Sequence, residues 1–385
     1  MSSIHEKTYL RASSYLKQAE DLHRRFPLCD GHNDLPYALR QISPSGANNV
    51  NSTDLTKDWA GERIDGPLHG CLHTDLVRLR KGGVGWQFFS VYTPTSEPQH
   101  AVQWTLEQID VVHRLVDKYD TDLQMASGVE DVKNIWNDGK IACMCGIEGG
   151  HQIQNSLGAL RMFYKLGCRY MTLTHNGGPD WADPALHIDG SPCLEASLGG
   201  LTPYGENVVL EMNRLGMLVD LSHVHHVTME RALTVTKAPV IFSHSSSRAI
   251  CDHPRDVPDN ILRMLPSNGG IIMVTFVSSF VAGKFWVKGN EVGATVLEVA
   301  DHIDHIKEVA GIDHIGIGGD YDGCTDLAKG LEDTSCYTNL TAELLFRGYS
   351  ENDLAKILSG NILRVLSEAE RVRDEMCAKG CLPLE

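Results

Sequence analysis

Eight short apolar runs of strand type recur along the chain, and stretches with helical spacing lie between them. The runs cover 27–32, 84–91, 141–148, 169–174, 217–222, 239–243, 271–275 and 314–319. Between the second and third, Val102, Leu106, Ile109, Val112 and Val116 repeat at helical intervals over 101–118. Similar patterns cover 157–165, 205–215, 228–235, 296–310 and 351–359. Strands that alternate with helices imply parallel βα units. Eight such units predict a (β/α)8 TIM barrel. A doubly wound sheet alternates too, but no G-x-G-x-x-G follows the first strand. The chain therefore reads as one barrel domain over 1–385, with a helical extension over 1–25 and an insertion over 41–81. The stretch 178–202, rich in Asp, Pro and Gly, reads as a loop across the strand ends.

Charge narrows the partners. Lys plus Arg number 34 and Asp plus Glu 50, for a net charge of −16. Phosphate contacts need clustered cations, so nucleic acid is disfavoured as a partner. The polar N-terminal stretch carries no run of signal-peptide type, and the last residues lack the apolar tail of a lipid anchor. No apolar run is long enough to span a bilayer. The 11 cysteines are scattered without a C-x-x-C pair. The expectation is a cytoplasmic protein, with no membrane partner and with reduced thiols.

The chemistry gathers at the strand ends, where barrel enzymes place their sites. The first run ends in Asp30-Gly31-His32-Asn33-Asp34. His32 and Asp34 are two apart, so an extended backbone points both to one side. The third run ends in Glu148, and a carboxylate after a buried strand must be paired or bind metal. The next three runs end in His175, His223 and His244, and the last in Asp320. One strand-end histidine is readily a satisfied core residue; three in succession are not. Together these residues offer more nitrogen and oxygen donors than one tetrahedral ion needs. The set lacks thiolate, which suits zinc and also manganese, iron(II) or cobalt. Two such ions would activate a water and polarise a carbonyl, so the implied reaction is metal-assisted hydrolysis.

Other histidines read differently. His225 and His226 follow His223 and begin the next helix. His302 and His305 sit three apart on an amphipathic helix and read as solvated. His69 and His73 lie in the insertion without an assigned role. Asp322 reads as loop structure, and Arg255, by residue type alone, as a surface ion pair.

The combined motifs resemble the membrane (renal) dipeptidases. The resemblance rests on Asp30-Gly31-His32-Asn33-Asp34-Leu35-Pro36, Gly146-Ile147-Glu148-Gly149-Gly150, Arg169-Tyr170-Met171-Thr172-Leu173-Thr174-His175, Asp220-Leu221-Ser222-His223 and Phe242-Ser243-His244-Ser245-Ser246, and runs from about residue 26 to 370. It implies a two-zinc (β/α)8 barrel of the metal-dependent amidohydrolase type, acting on dipeptides as a homodimer. Carried over, His32 and Asp34 would bind one ion, His223 and His244 the other, and Glu148 both. His175 would contact the substrate and its oxyanion. Arg255 would hold the substrate carboxylate, and Asp320 would serve the attacking water and the free amine. Two departures stand out. Phe280 occupies the place of a tyrosine that helps bind the carboxylate. The positions of the relatives' disulfides look unpaired, with Thr95 and 176–178 at one and Cys251 at another.

The resemblance extends to soluble fungal members that process cysteinylglycine S-conjugates in pathways such as gliotoxin biosynthesis. The substrate it implies is a dipeptide of that kind. The rivals are a general intracellular dipeptidase, a barrel hydrolase of a lactone or other ester, and a catalytically dead barrel.

Overall fold

The computed structural model describes residues 12–42, 50–63, 70–282 and 293–385. The expected extension and insertion lie partly outside these residues, and His69 lies wholly outside them. Nine strands are present among the described residues: β1 (Leu28–Asn33), β2 (Val84–Tyr92), β3 (Leu123–Met125), β4 (Ile141–Glu148), β5 (Cys168–Thr172), β6 (Leu218–Asp220), β7 (Val240–Ser245), β8 (Ile271–Val274) and β9 (Ile315–Ile317).

All strand pairings are parallel, and β1 pairs with both β2 and β9, which closes a ring. The ring runs β1-β2-β4-β5-β6-β7-β8-β9. This is an eight-stranded (β/α)8 barrel, and its strands are the eight expected runs with ends shifted by a residue or two. The ninth, β3, lies outside the ring and extends it where β4 begins, pairing Leu123 with Ile141. Three residues are too few to show a period in sequence.

Helices Ala101–Lys118 and Leu157–Lys165 fall where their spacing predicts. The next, Pro203–Leu215, starts earlier than expected because Thr202 caps it by accepting from the Gly205 N–H and Pro203 fits the first turn. The expected helix over 351–359 is a shorter helix, Glu351–Ala355, joined by a π turn to Asn361–Ala378.

Strand alternation divides the core in two. Trp86, Phe88, Met144, Tyr170, Ile271 and Met273 share one cluster. Their neighbours Phe89, Val91, Cys145, Ile147, Ile272 and Val274 belong to the other, with residues of the surrounding helices. The first cluster fills the barrel. It is joined by Val132 and Ile135 of helix Val129–Asn137 and by Val365 and Leu366 of helix Asn361–Ala378. With this interior packed, polar chemistry is left to the rim at the carboxyl ends of the strands.

His302 departs from expectation. It is fully buried, not solvated. Its Nδ1 accepts the Ser247 N–H at 2.9 Å and its Nε2 bonds the Val281 carbonyl at 2.8 Å. It thus ties helix Val296–Val309 to the segments after β7 and β8. Burial pushes its pKa down to about 4. His305 is partly exposed and pairs with Asp259 at 2.8 Å. No helix among the described residues is long and apolar enough to cross a membrane.

Candidate metal and substrate site

The closed ring brings the singled-out strand ends to one rim. His32 lies in β1, Glu148 closes β4, and His244 lies in β7. His175, His223 and Asp320 each follow a strand by three residues, after β5, β6 and β9. His223 and Asp320 hold left-handed backbone, with φ of 65° and 61°. Such a conformation costs a non-glycine residue free energy, and strained backbone of this kind clusters at active sites. Gly323 is required for space: a Cβ there would collide with the carboxylates of Asp34 and Asp320.

The donor atoms converge. His32 Nε2 lies 3.2 Å from Asp34 Oδ2, 3.4 Å from Glu148 Oε1 and 3.9 Å from Asp320 Oδ1. His223 Nε2 lies 3.1 Å from Glu148 Oε1, and His244 Nε2 3.5 Å from it. His175 Nε2 stands further off at 3.7 Å. Donors bound about 2.0–2.2 Å from one tetrahedral ion sit roughly 3.2–3.6 Å apart. The spacings around Glu148 therefore suit metal ligands. Three overlapping groups bring their donors within 4.8 Å of one another: His32, Glu148 and His244; Glu148, His175 and His223; and His32, Asp34 and Asp320. His32 Nε2 is buried with no hydrogen-bond partner, which is the orphaned atom that an ion would satisfy.

Against the effect of its burial, Tyr170, Glu148 and Asp34 hold the pKa of His32 well above the ordinary value, whereas the other imidazoles of the site shift the opposite way. Burial, and then nearby cationic groups that include Arg255, push the pKa values of His175, His223 and His244 well below the ordinary value. Neutral imidazole is the form that binds metal. Burial raises the pKa of Glu148. Burial also raises that of Asp320, with Asp34 and Glu148 adding to it.

A second layer of contacts orients these side chains. His32 Nδ1 meets the Tyr170 hydroxyl at 2.8 Å. His244 Nδ1 meets Ser243 Oγ at 2.8 Å, and that hydroxyl donates to Asp220 at 2.6 Å. His223 Nδ1 faces Asn176 Oδ1 at 3.4 Å. Ser90 Oγ donates to Glu148 Oε2 at 3.2 Å. Sequence reading missed all of these as site residues. The repeated Asp/Ser/His chemistry of Asp220-Leu221-Ser222-His223 and Ser243-His244 was the available signal.

Beside the donors opens a cavity of about 260 Å³, whose lining includes Asp34, Tyr37, Tyr92, Arg255, Phe280 and Asp320. Arg255 is 1% exposed, which excludes the surface ion pair. Its Nη1 and Nη2 make only long bonds, 3.4 Å to Ser245 Oγ and 3.3 Å to the His244 carbonyl. Its Nε has no partner. Among the described residues no carboxylate forms an ion pair with it. The Phe280 ring lies 5.2 Å from its guanidinium carbon. Thr95 Oγ1 donates to the Asn176 carbonyl at 2.8 Å, and Cys251 Sγ to the Ser279 carbonyl at 3.6 Å. These contacts occupy the places where the resemblance implied disulfides.

The set-aside residues lie elsewhere. His225 caps helix His226–Val235. Asp322 is loop structure, locked to His73: its carboxylate accepts the His73 N–H at 2.7 Å, and its own N–H donates to His73 Nδ1 at 3.0 Å.

The model of the membrane dipeptidase family (peptidase family M19) matches residues 16–380. Dipeptidase 3 of Homo sapiens is 43% identical over 369 residues, 96% of this chain and 70% of that protein. Two solved structures share the fold. A probable dipeptidase of Pseudomonas aeruginosa, PvdM, superposes with a TM-score of 0.79 at 24% identity, covering 94% of this chain and 99% of that one. The metallopeptidase dipeptidase AC, of family M19, gives 0.77 at 26% identity, covering 89% and 98%. A match along nearly the whole chain, on a barrel that carries its donors at the strand ends, means that this chain belongs to the membrane dipeptidase family, peptidase family M19.

Proposed function

We propose that this protein is a binuclear metallodipeptidase that releases glycine from cysteinylglycine S-conjugates. The observation that carries the reading is Arg255: a buried guanidinium without a carboxylate partner, in one small cavity with the converged donors. A buried cation needs an anion, and its planar fork suits the carboxylate end of a dipeptide. The cavity lies at the small end of ligand sites. Glycine as the second residue asks for no side-chain room beside Phe280.

His32 and Asp34 would hold one ion, His223 and His244 the other, with Glu148 shared; the imidazole and carboxylate set suits zinc. When bound, the ions would supply Lewis acidity and a water ionised near neutral pH. Arg255 fixes the substrate carboxylate and so orients the scissile bond. His175 donates towards the oxygen that gains charge, an effect worth on the order of 3 kcal/mol for a well-placed donor. Asp320 takes the proton of the attacking water and returns it to the leaving amine. Asp320 also faces the free amine of the substrate.

All eleven cysteines are free thiols, five of them buried. That supports a reducing, cytoplasmic setting. A role in sulfur-containing secondary metabolism of the gliotoxin type, and a homodimer, rest on the resemblance alone.

The test is release of glycine from S-methyl cysteinylglycine by the purified protein, with a chelator and then with zinc or manganese restored. Chelator-sensitive release that returns with metal is the expected result. Fully metallated protein that cleaves ordinary dipeptides but not the conjugate would move the reading to a general dipeptidase. Inertness towards both would overturn it.

A further inference from the structure

The contacts behind the histidines settle where their protons lie. A carbonyl or carboxylate oxygen can only accept. The Tyr170 hydroxyl stands 3.1 Å from the Gly31 carbonyl and donates to it. Its oxygen is then left to accept from His32 Nδ1. On the other side, Asp220 gathers donors. It accepts the Ser222 and Ser243 N–H groups at 3.1 and 2.7 Å and the Thr172 hydroxyl. The Ser243 hydroxyl donates to it at 2.6 Å, so its oxygen accepts from His244 Nδ1. Each chain ends on an acceptor and fixes one proton on Nδ1.

We infer that Tyr170 and Ser243 are positioning residues that lock His32 and His244 in the tautomer with an open Nε2 lone pair facing Glu148. Both lie in the barrel wall at full burial, and neither lines the cavity beside the donors. His175 has no such chain. Its Nδ1 is buried and unpartnered, and an orphaned lone pair is tolerated better than an orphaned N–H. Its proton therefore sits on Nε2, towards the cavity, which makes it a donor and sets it apart from the ligands. The two chains also differ in strength. One ends on an amide carbonyl and the other on a carboxylate, so Ser243 carries the larger effect.

This inference rests on the metallodipeptidase reading and is tested by metal binding. Tyr170→Phe and Ser243→Ala remove one hydroxyl each. Zinc affinity would be measured by dialysis against buffered metal, with cobalt(II) absorption spectra as a second readout. Each variant is expected to weaken one of two sites by about 10–100-fold, to shift the cobalt spectrum, and to lower the melting temperature of the metal-free chain by only a few degrees. Ser243→Thr keeps the hydroxyl and is expected to restore affinity. Variants that bind two ions as tightly as the wild type overturn the inference alone. So does a loss that Ser243→Thr fails to restore. A wild-type chain that takes up no metal overturns the dipeptidase reading, and the inference with it.

Discussion

His223 Nε2 and His244 Nε2 lie 2.9 Å apart, and both face Glu148 Oε1. In His244 the ring proton is held on the far side by Ser243. In His223 the Nδ1 faces the amide oxygen of Asn176. Two lone pairs and a carboxylate oxygen then point at one small volume. Such an arrangement is repulsive unless a cation occupies it, which is what a metal site requires.

Glu148→Ala is expected to lose bound metal and activity together. Glu148 Oε1 lies within 3.7 Å of the Nε2 atoms of His32, His175, His223 and His244. Turnover should fall by about 10²–10³-fold, on the scale of lost transition-state charge stabilisation. Metal per chain, counted by elemental analysis beside the rate, checks this. Full activity with intact stoichiometry would remove Glu148 from a shared role.

Arg255→Ala is expected to act on KM. A charge-assisted hydrogen bond is worth about 1.5–3 kcal/mol, so KM for a free dipeptide should rise roughly 10–100-fold. The C-terminal amide of the same dipeptide should be affected far less. Equal losses on both substrates would take Arg255 out of carboxylate recognition.

Phe280→Tyr places a hydroxyl beside the guanidinium that the ring already covers. One added neutral hydrogen bond contributes about 1 kcal/mol. KM for dipeptides should fall several-fold with kcat nearly constant. An unchanged KM would mean that the ring edge does not reach the carboxylate.

Acid should destabilise the protein through His302. Its pKa is about 4 in the folded state, against about 6.5 when unfolded. Below about 6.5 the unfolded chain takes up a proton that the folded chain refuses until about 4. Stability is therefore complete above this window and falls as pH drops through it. At pH 5 the loss is on the order of 2 kcal/mol. Urea unfolding from about pH 7.5 to 4.5 would show it, and His302→Gln should flatten the slope. An equally steep slope in that variant would assign the effect to other histidines held well below the ordinary value: His23 and His151 at about 4, His253 at about 3, and the site residues His175, His223 and His244.

The barrel was legible because each ring strand is covered on both faces and therefore reads as an unbroken apolar run. The donors were legible because each stands at or just beyond the end of such a run. Their supports were not. That Ser243 reaches Asp220, or that Tyr170 stands behind His32, depends on which strands become neighbours and in what register. His302 shows a different failure. It lies three residues beyond Val299 and four before Ile306, both buried, so the spacing placed it on the inner face. Residue type was allowed to outweigh period.

The left-handed residues at the strand ends set stability against chemistry. Glycine would relax the backbone at His223 or Asp320, and either replacement would delete a side chain that the site uses. A lineage selected only for heat tolerance would drift towards an inert barrel. The torsion angles of the main chain at the rim thus carry a stability cost that the chemistry there requires.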